Sequence, residues 1–195
     1  MSHRGGFRWI AFDAVGTLIF ADPPVADVYH RIGQRHGSRL TVGEVAQRFT
    51  AGFSRHLSTA ALASSEATEL AFWKKVVGDV LFDVSNPEAC FEELHAWFAK
   101  PSAWRCFPDV AETVEALHQR GYRLAMASNF DGRLHTVRSG LTELARIERC
   151  VVSSEVGCRK PHPGFFAALA EACGCEAGQI LMVGDNLNTD VRGAE

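Results

Sequence analysis

The sequence has no apolar run near the roughly 20 residues that a membrane-spanning helix needs, so no span is expected. Its opening residues, MSHRGGF, lack the apolar stretch of a secretory signal, and a cytoplasmic location is expected. Net charge is nearly absent: a formal −3 gives no general attraction to nucleic acid or to an anionic membrane, so neither is expected as a partner. An anionic ligand must then be held by a local cluster of donors. The six cysteines form no Cys-x-x-Cys unit, and Cys173 and Cys175 lack the second pair or nearby histidine of a zinc site. All six are expected as reduced, mostly buried thiols. Internal repeats and low-complexity tracts are missing as well.

What is present suits a soluble globular domain. The 195 residues, 47% hydrophobic and 22% charged, are enough for one core plus a smaller appended module. Four short apolar runs read as buried parallel strands: FRWIAF from Phe7, YRLAMA from Tyr122, RCVVS from Arg149 and ILMVG from Ile180. Helical patterns separate the last three, with DVAETVEALHQRG closing on Gly121 and PGFFAALAEACG opening on proline and closing on Gly174. Strand, helix and strand repeated in this way predict an open α/β sheet, Rossmann-like in its right-handed crossovers.

Between the first two strands the pattern changes. Residues 22–100 read as amphipathic helices, bounded by Asp22-Pro23-Pro24 and Lys100-Pro101-Ser102, and predict an all-helical insertion after the first strand. The core is then residues 1–21 and 101–195. GDNLNTDVRGAE begins what reads as another helix and stops at Glu195, so the core's carboxyl end is expected to be shortened.

In open α/β sheets ligands lie beyond the carboxyl ends of the strands. Here those ends carry Asp13, then Ser128 and Asn129, then Ser153 and Ser154, then Asp185. Ser153, Ser154 and Asn186 suit turns and helix caps, and His135 and His162 suit surface or capping positions. Asp13, Ser128 and Asp185 together suggest a site. Trp73, Trp97 and Trp104 are expected to pack the helical core and its junction rather than to cage a ligand.

These motifs resemble the haloacid dehalogenase superfamily of hydrolases. FDAVGTL is similar to its first motif, MASN to its second, CRKPHPGFF to its third and VGDNLNTD to its fourth, in the family's order and spacing. SNFD and DAVGT resemble the branch of haloacid dehalogenase-like hydrolase domain-containing proteins. The resemblance implies a small helical cap of the C1 type at residues 22–100. It implies Asp13 as a nucleophile that forms an aspartyl-phosphate with a small phosphorylated metabolite. It further implies a magnesium ion held by Asp13, the Val15 carbonyl and Asp185, with Lys160 adding positive charge. Arg159 is the alternative cation. The Ser128 hydroxyl, backbone N–H groups around Asn129 and Val15, and the loop of Gly16 and Thr17 are the implied phosphoryl holders, and Asp190 is the implied support for Lys160 or for a metal-bound water.

One position departs from the pattern. The family's ordinary phosphatases carry a second aspartate two residues after the nucleophile, which protonates the leaving oxygen and then activates water; this chain has Val15. General acid–base assistance contributes about 10²- to 10⁴-fold, or about 3 to 5 kcal/mol of barrier, so its absence weighs most on alkyl phosphates and least on aryl and acyl phosphates. Three expectations stay open: a slow or specialised phosphatase, cleavage of another bond as in dehalogenases or phosphonatases, or binding of a phosphorylated ligand without turnover. The intact GDNLNTD argues against a dehalogenase, which uses no metal. A phosphonatase needs a cap lysine, and Lys74 and Lys75 read instead as a solvated helix face.

Overall fold

Alternate residues of two central strands divide the core into its two packed faces. In β1 (Trp9–Phe12) and β4 (Arg123–Ser128), Ile10, Phe12, Leu124 and Met126 point to one side, while Trp9, Ala11, Ala125 and Ala127 point to the other. The computed structural model describes residues 6–195. The first side is covered by α5 (Val110–Gln119) and α6 (Arg133–Ser139) through Val110, Val114, Leu134 and Val137. The second is covered by α8 (Pro163–Cys173) through Phe165, Leu169 and Cys173. With β5 (Ile147–Val152) and β6 (Ile180–Val183), the strands form one parallel sheet in the order β5-β4-β1-β6. This is the expected open α/β sheet; its central strands β1 and β4 are buried on both faces and written as near-continuous apolar runs, while the edge strands β5 and β6 keep exposed positions at Glu148, Arg149 and Leu181.

Four helices follow the first strand: α1 (Val25–Arg35), α2 (Val42–Thr59), α3 (Glu66–Val80) and α4 (Pro87–Phe98). Each has a sequence-encoded start or face. Thr41 with Glu44 and Ser65 with Thr68 close reciprocal caps on α2 and α3, and the Asn86 side chain accepts from the Ala89 N–H ahead of Pro87. Val28, Tyr29 and Ile32 of α1 meet Val76, Val77 and Val80 of α3 and Phe91 and Leu94 of α4 in a second, separate core.

A short antiparallel pair carries the chain into and out of these helices. β2 (Ile19–Ala21) lies beside β3 (Trp104–Cys106), with Ile19 opposite Cys106 and Ala21 opposite Trp104. Three-residue strands are too short to display a period, so sequence patterning misses both. Past β6, residues Leu187–Val191 form a single wide π-type turn, because the Asn186 side chain accepts from the N–H groups of Asn188 and Thr189 and the chain turns Asp190 inward. A one-turn helix, α7 (Ser153–Val156), follows β5 and ends on Gly157. The cysteines are all free, but only Cys90 and Cys173 are buried; the other four are half-buried, because they lie at the margins of the packed layers. No helix among the described residues is long and apolar enough to cross a membrane.

Candidate active site

The carboxyl ends of β1, β4 and β6 converge on one buried lysine. Lys160, 2% exposed, donates from Nζ to Asp13 Oδ1 at 2.8 Å, to Asp190 Oδ1 at 2.6 Å and to the Ala127 carbonyl at 2.7 Å. All three ammonium protons are thereby used. Asp13 follows β1, and its own N–H donates to the Val183 carbonyl at 2.8 Å, which fixes it against the end of β6. The Asn129 side chain grips the main chain of Lys160 at both ends, accepting from its N–H at 2.7 Å and donating to its carbonyl at 3.0 Å. The Asn129 side-chain amide is thus spent on placing the lysine, which leaves the expected phosphoryl contact to the backbone N–H groups around it.

The loop after Asp13 is a tight turn, with the Ala14 carbonyl accepting from the N–H groups of Leu18 and Ile19 at 2.8 and 2.9 Å. Gly16 has φ +93°, and a Cβ there would stand 2.5 Å from Asp185 Oδ2, so glycine serves both the turn and the room that Asp185 needs. The Thr17 hydroxyl is buried without a partner among the described residues, and Thr17 does not line the cavity above Asp13. Val15 does line it, with its side chain 40% exposed where the family's second carboxylate would stand.

Oxygens of Asp13, Asp185 and Asp190 lie within 4.8 Å of one another, and no other acidic, histidine or cysteine group of this kind occurs among the described residues. Asp190 is committed, to Lys160 through Oδ1 and to the Asn186 N–H through Oδ2 at 3.1 Å. Asp13 and the exposed Asp185 remain as hard oxygen donors, a set that fits a magnesium ion. Burial pushes the Asp13 carboxyl above the ordinary aspartate range; the Lys160 charge and hydrogen bond and the Ser128 hydroxyl oppose this, while the negative charge of Asp190 adds to it. Ser128, 3% exposed at the end of β4, lies beside the carboxylate.

A cavity of about 440 Å³ opens above these residues. Its floor is Asp13, Val15, Ser128, Lys160 and Asp185, and its opposite wall comes from α2, α3 and the intervening turn. That wall includes Trp73, so this tryptophan faces the cavity as well as packing the helical core, a position that helical spacing does not disclose. Sequence reasoning also missed the part of Arg159. Its Nε and Nη2 donate to Glu69 of α3 at 2.9 and 2.6 Å, so it is not a second cation for Asp13. Ser154 Oγ donates to Glu66 at 2.5 Å, the Ser153 hydroxyl donates to the Phe130 carbonyl, and His162 caps α8. Lys74 pairs with Glu88 at 2.6 Å, and neither it nor Lys75 lines the cavity.

A parallel α/β sheet with carboxylates and a buried lysine at the carboxyl ends of its strands defines an α/β enzyme whose chemistry sits on that edge. The chain belongs to the haloacid dehalogenase-like hydrolases, whose family model matches residues 7–195. Mouse (Mus musculus) haloacid dehalogenase-like hydrolase domain-containing protein 3 is 30% identical over 204 residues, covering 100% of this chain and 80% of that protein. The phosphoglycolate phosphatase of Aliivibrio fischeri is 26% identical over 189 residues, covering 96% of this chain and 79% of that one. Among solved structures, a dehalogenase in an intermediate complex superposes with a TM-score of 0.72 at 20% identity, over 98% of this chain and 82% of its own, which establishes the shared fold.

Proposed function

We propose that this hydrolase is a magnesium-dependent phosphatase of a small phosphorylated metabolite, with Asp13 as the nucleophile. The observation that carries the reading is the buried chain from Asp13 through Lys160 to Asp190, set under an open cavity with Asp185 beside it. Residues 22–100 act as the cap over that cavity, and residues 1–21 and 101–195 as the catalytic core.

In this reading Asp13 attacks phosphorus with the oxygen that Lys160 does not hold. Lys160, itself held by Asp190, keeps Asp13 oriented and offsets the charge of a carboxylate approaching a phosphate. Ser128 and backbone N–H groups of the Asp13 loop hold phosphoryl oxygens, and Gly16 lets the backbone come close. Asp13, Asp185 and the Val15 carbonyl would hold the magnesium ion, which supplies positive charge against the phosphoryl oxygens when bound. Val15 leaves the leaving oxygen without a proton donor from this position.

The acidic group supports phosphoryl transfer over halide displacement, which needs no cation site. The absence of a lysine from α1 to α4 among the described cavity-lining residues speaks against Schiff-base phosphonate cleavage. The test is phosphate release from aryl, acyl and alkyl phosphates, with magnesium and with chelator, beside Asp13→Asn. Magnesium-dependent release that disappears in Asp13→Asn supports the reading; undiminished release by that variant removes the nucleophile assignment, and silence in folded wild type points to binding without turnover.

A further inference from the structure

The wall facing Asp13 is aromatic. Phe53 of α2 stacks on Trp73 of α3 at 5.8 Å between centroids with 28° between planes, and Phe72 meets the two edge-on at 5.8 and 5.3 Å. All three line the cavity, and three apolar side chains at the same cavity are left well exposed: Val15 at 40%, Leu57 at 44% and Leu62 at 46%. Apolar surface gathered around one concavity marks a place where something apolar is bound.

The charges in the cavity say what is not bound. Its two lining cations are both taken: Arg159 by Glu69, and Lys160 by Asp13 and Asp190. Glu69 is saturated in turn by Arg159 and by the Ser64 hydroxyl at 2.6 Å. No side chain on this wall, among the described residues, carries a charge that is not already matched by a neighbour. A charged group placed there would lose its water without meeting an unmatched opposite charge.

We infer that the substrate is the phosphate ester of an uncharged phenol, with its phosphoryl group over Asp13 and its ring against Phe53, Phe72 and Trp73. The inference rests on the phosphatase reading and gives it a substrate class. It also accounts for Val15. As the Asp13 oxygen bonds to phosphorus, the bond from phosphorus to the phenolic oxygen breaks and the electron pair leaves on that oxygen. A phenolate is stable enough to depart unprotonated, so no acid is required at residue 15. Water then adds to phosphorus, the electron pair returns to Asp13, and the water's proton stays with the released phosphate or passes to solvent.

The test compares kcat/KM for phenyl phosphate, acetyl phosphate and phosphoglycolate with magnesium, in wild type, Phe53→Leu and Trp73→Leu, each checked for folding by circular dichroism. Phenyl phosphate should exceed phosphoglycolate by at least about a hundredfold, and the preference for phenyl over acetyl phosphate should fall about tenfold in either folded variant. Should one variant not fold, the other carries this arm; should neither, the wild-type panel decides. Phosphoglycolate matching phenyl phosphate, or an unchanged preference in the variants, would overturn the aromatic subsite while acetyl phosphate turnover leaves the phosphatase standing. No release from any of the three, in folded protein, overturns both.

Discussion

Glu69 and Arg159 form a two-pronged ion pair, Nε to Oε1 at 2.9 Å and Nη2 to Oε2 at 2.6 Å, with both side chains buried. The pair joins α3 to the residue next to Lys160, and the Arg159 N–H adds a bond to the Leu62 carbonyl at 2.8 Å. The helical segment is thereby fastened to the loop that places the site's lysine. Removing one partner strands a buried charge, so Arg159→Met should lower unfolding free energy by about 3 to 5 kcal/mol, read from urea denaturation. Adding Glu69→Leu should restore a large part of that loss, since the orphaned carboxylate is then gone. A single variant within about 1 kcal/mol of wild type would mean that the pair does not fasten the segment.

Asn129 should behave as a positioning residue. Asn129→Ala deletes both hydrogen bonds to the Lys160 main chain. Stability should fall by about 1 to 3 kcal/mol, and kcat should fall more than KM rises, because the lysine's aim and not substrate contact is lost. An equal loss in KM with kcat intact would return Asn129 to the substrate-holding part that its motif implies.

Val15 should leave a kinetic signature even on good leaving groups. In the proposed mechanism, with no base at that position, hydrolysis of an aspartyl-phosphate would be slow whatever alcohol has departed. Rapid mixing with an aryl phosphate should show a burst of about one equivalent of phenolate followed by slower turnover. Val15→Asp should shorten the slow phase and raise turnover of alkyl phosphates, within the roughly 10²- to 10⁴-fold range of acid–base assistance. Linear release from the first turnover would place the slow step elsewhere.

Magnesium should raise the melting temperature of wild type, with a stabilisation near 2.7 kcal/mol at about a hundred times its dissociation constant. Asp185→Ala should shrink that shift at a fixed magnesium concentration and raise the concentration needed for half-maximal activity. An unchanged shift would remove Asp185 from the ion's ligands.

The thiols should be slow to alkylate in the folded protein. Burial pushes Cys90, Cys106, Cys150 and Cys173 up to about 11. At pH 8 only about one in a thousand of each is then thiolate, the nucleophilic form, against roughly a quarter for an unperturbed thiol. Iodoacetamide labelling followed by mass spectrometry in native and in urea-unfolded protein should show a large acceleration at all four on unfolding. Native rates equal to unfolded ones at these positions would contradict their burial.

The parallel sheet was legible because a strand covered on both faces must be written in apolar residues, as WIAF of β1 and LAMA of β4 are, and the edge strand β6 keeps an apolar run as well. Asp13 was legible at a strand end, and Lys160 and Asp190 only through the family motifs they belong to; the meeting of the three was not legible. It depends on an inward π-type turn after Asn186 and on the grip of Asn129, neither of which has a sequence period. Glu69 stands in helical register with Trp73, Val76 and Val80, but a glutamate there reads as a solvated charge, and only the tertiary approach of Arg159 makes it a buried partner. Trp73 was legible as a packing residue. That one of its faces is left for the cavity follows from where α2 and α3 lie over the sheet, which no local pattern encodes.

The paired strands β2 and β3 bring the chain back to within a ladder's width of where it departed. Ala21 faces Trp104, and the Asp22 N–H reaches the Ala103 carbonyl at 3.0 Å. Such a stem behaves like a socket: whatever hangs from it can be lengthened, trimmed or exchanged while the register of β1 with its neighbours stays as it is. Change can therefore be confined to what is plugged in, with the strand end that carries Asp13 left in place.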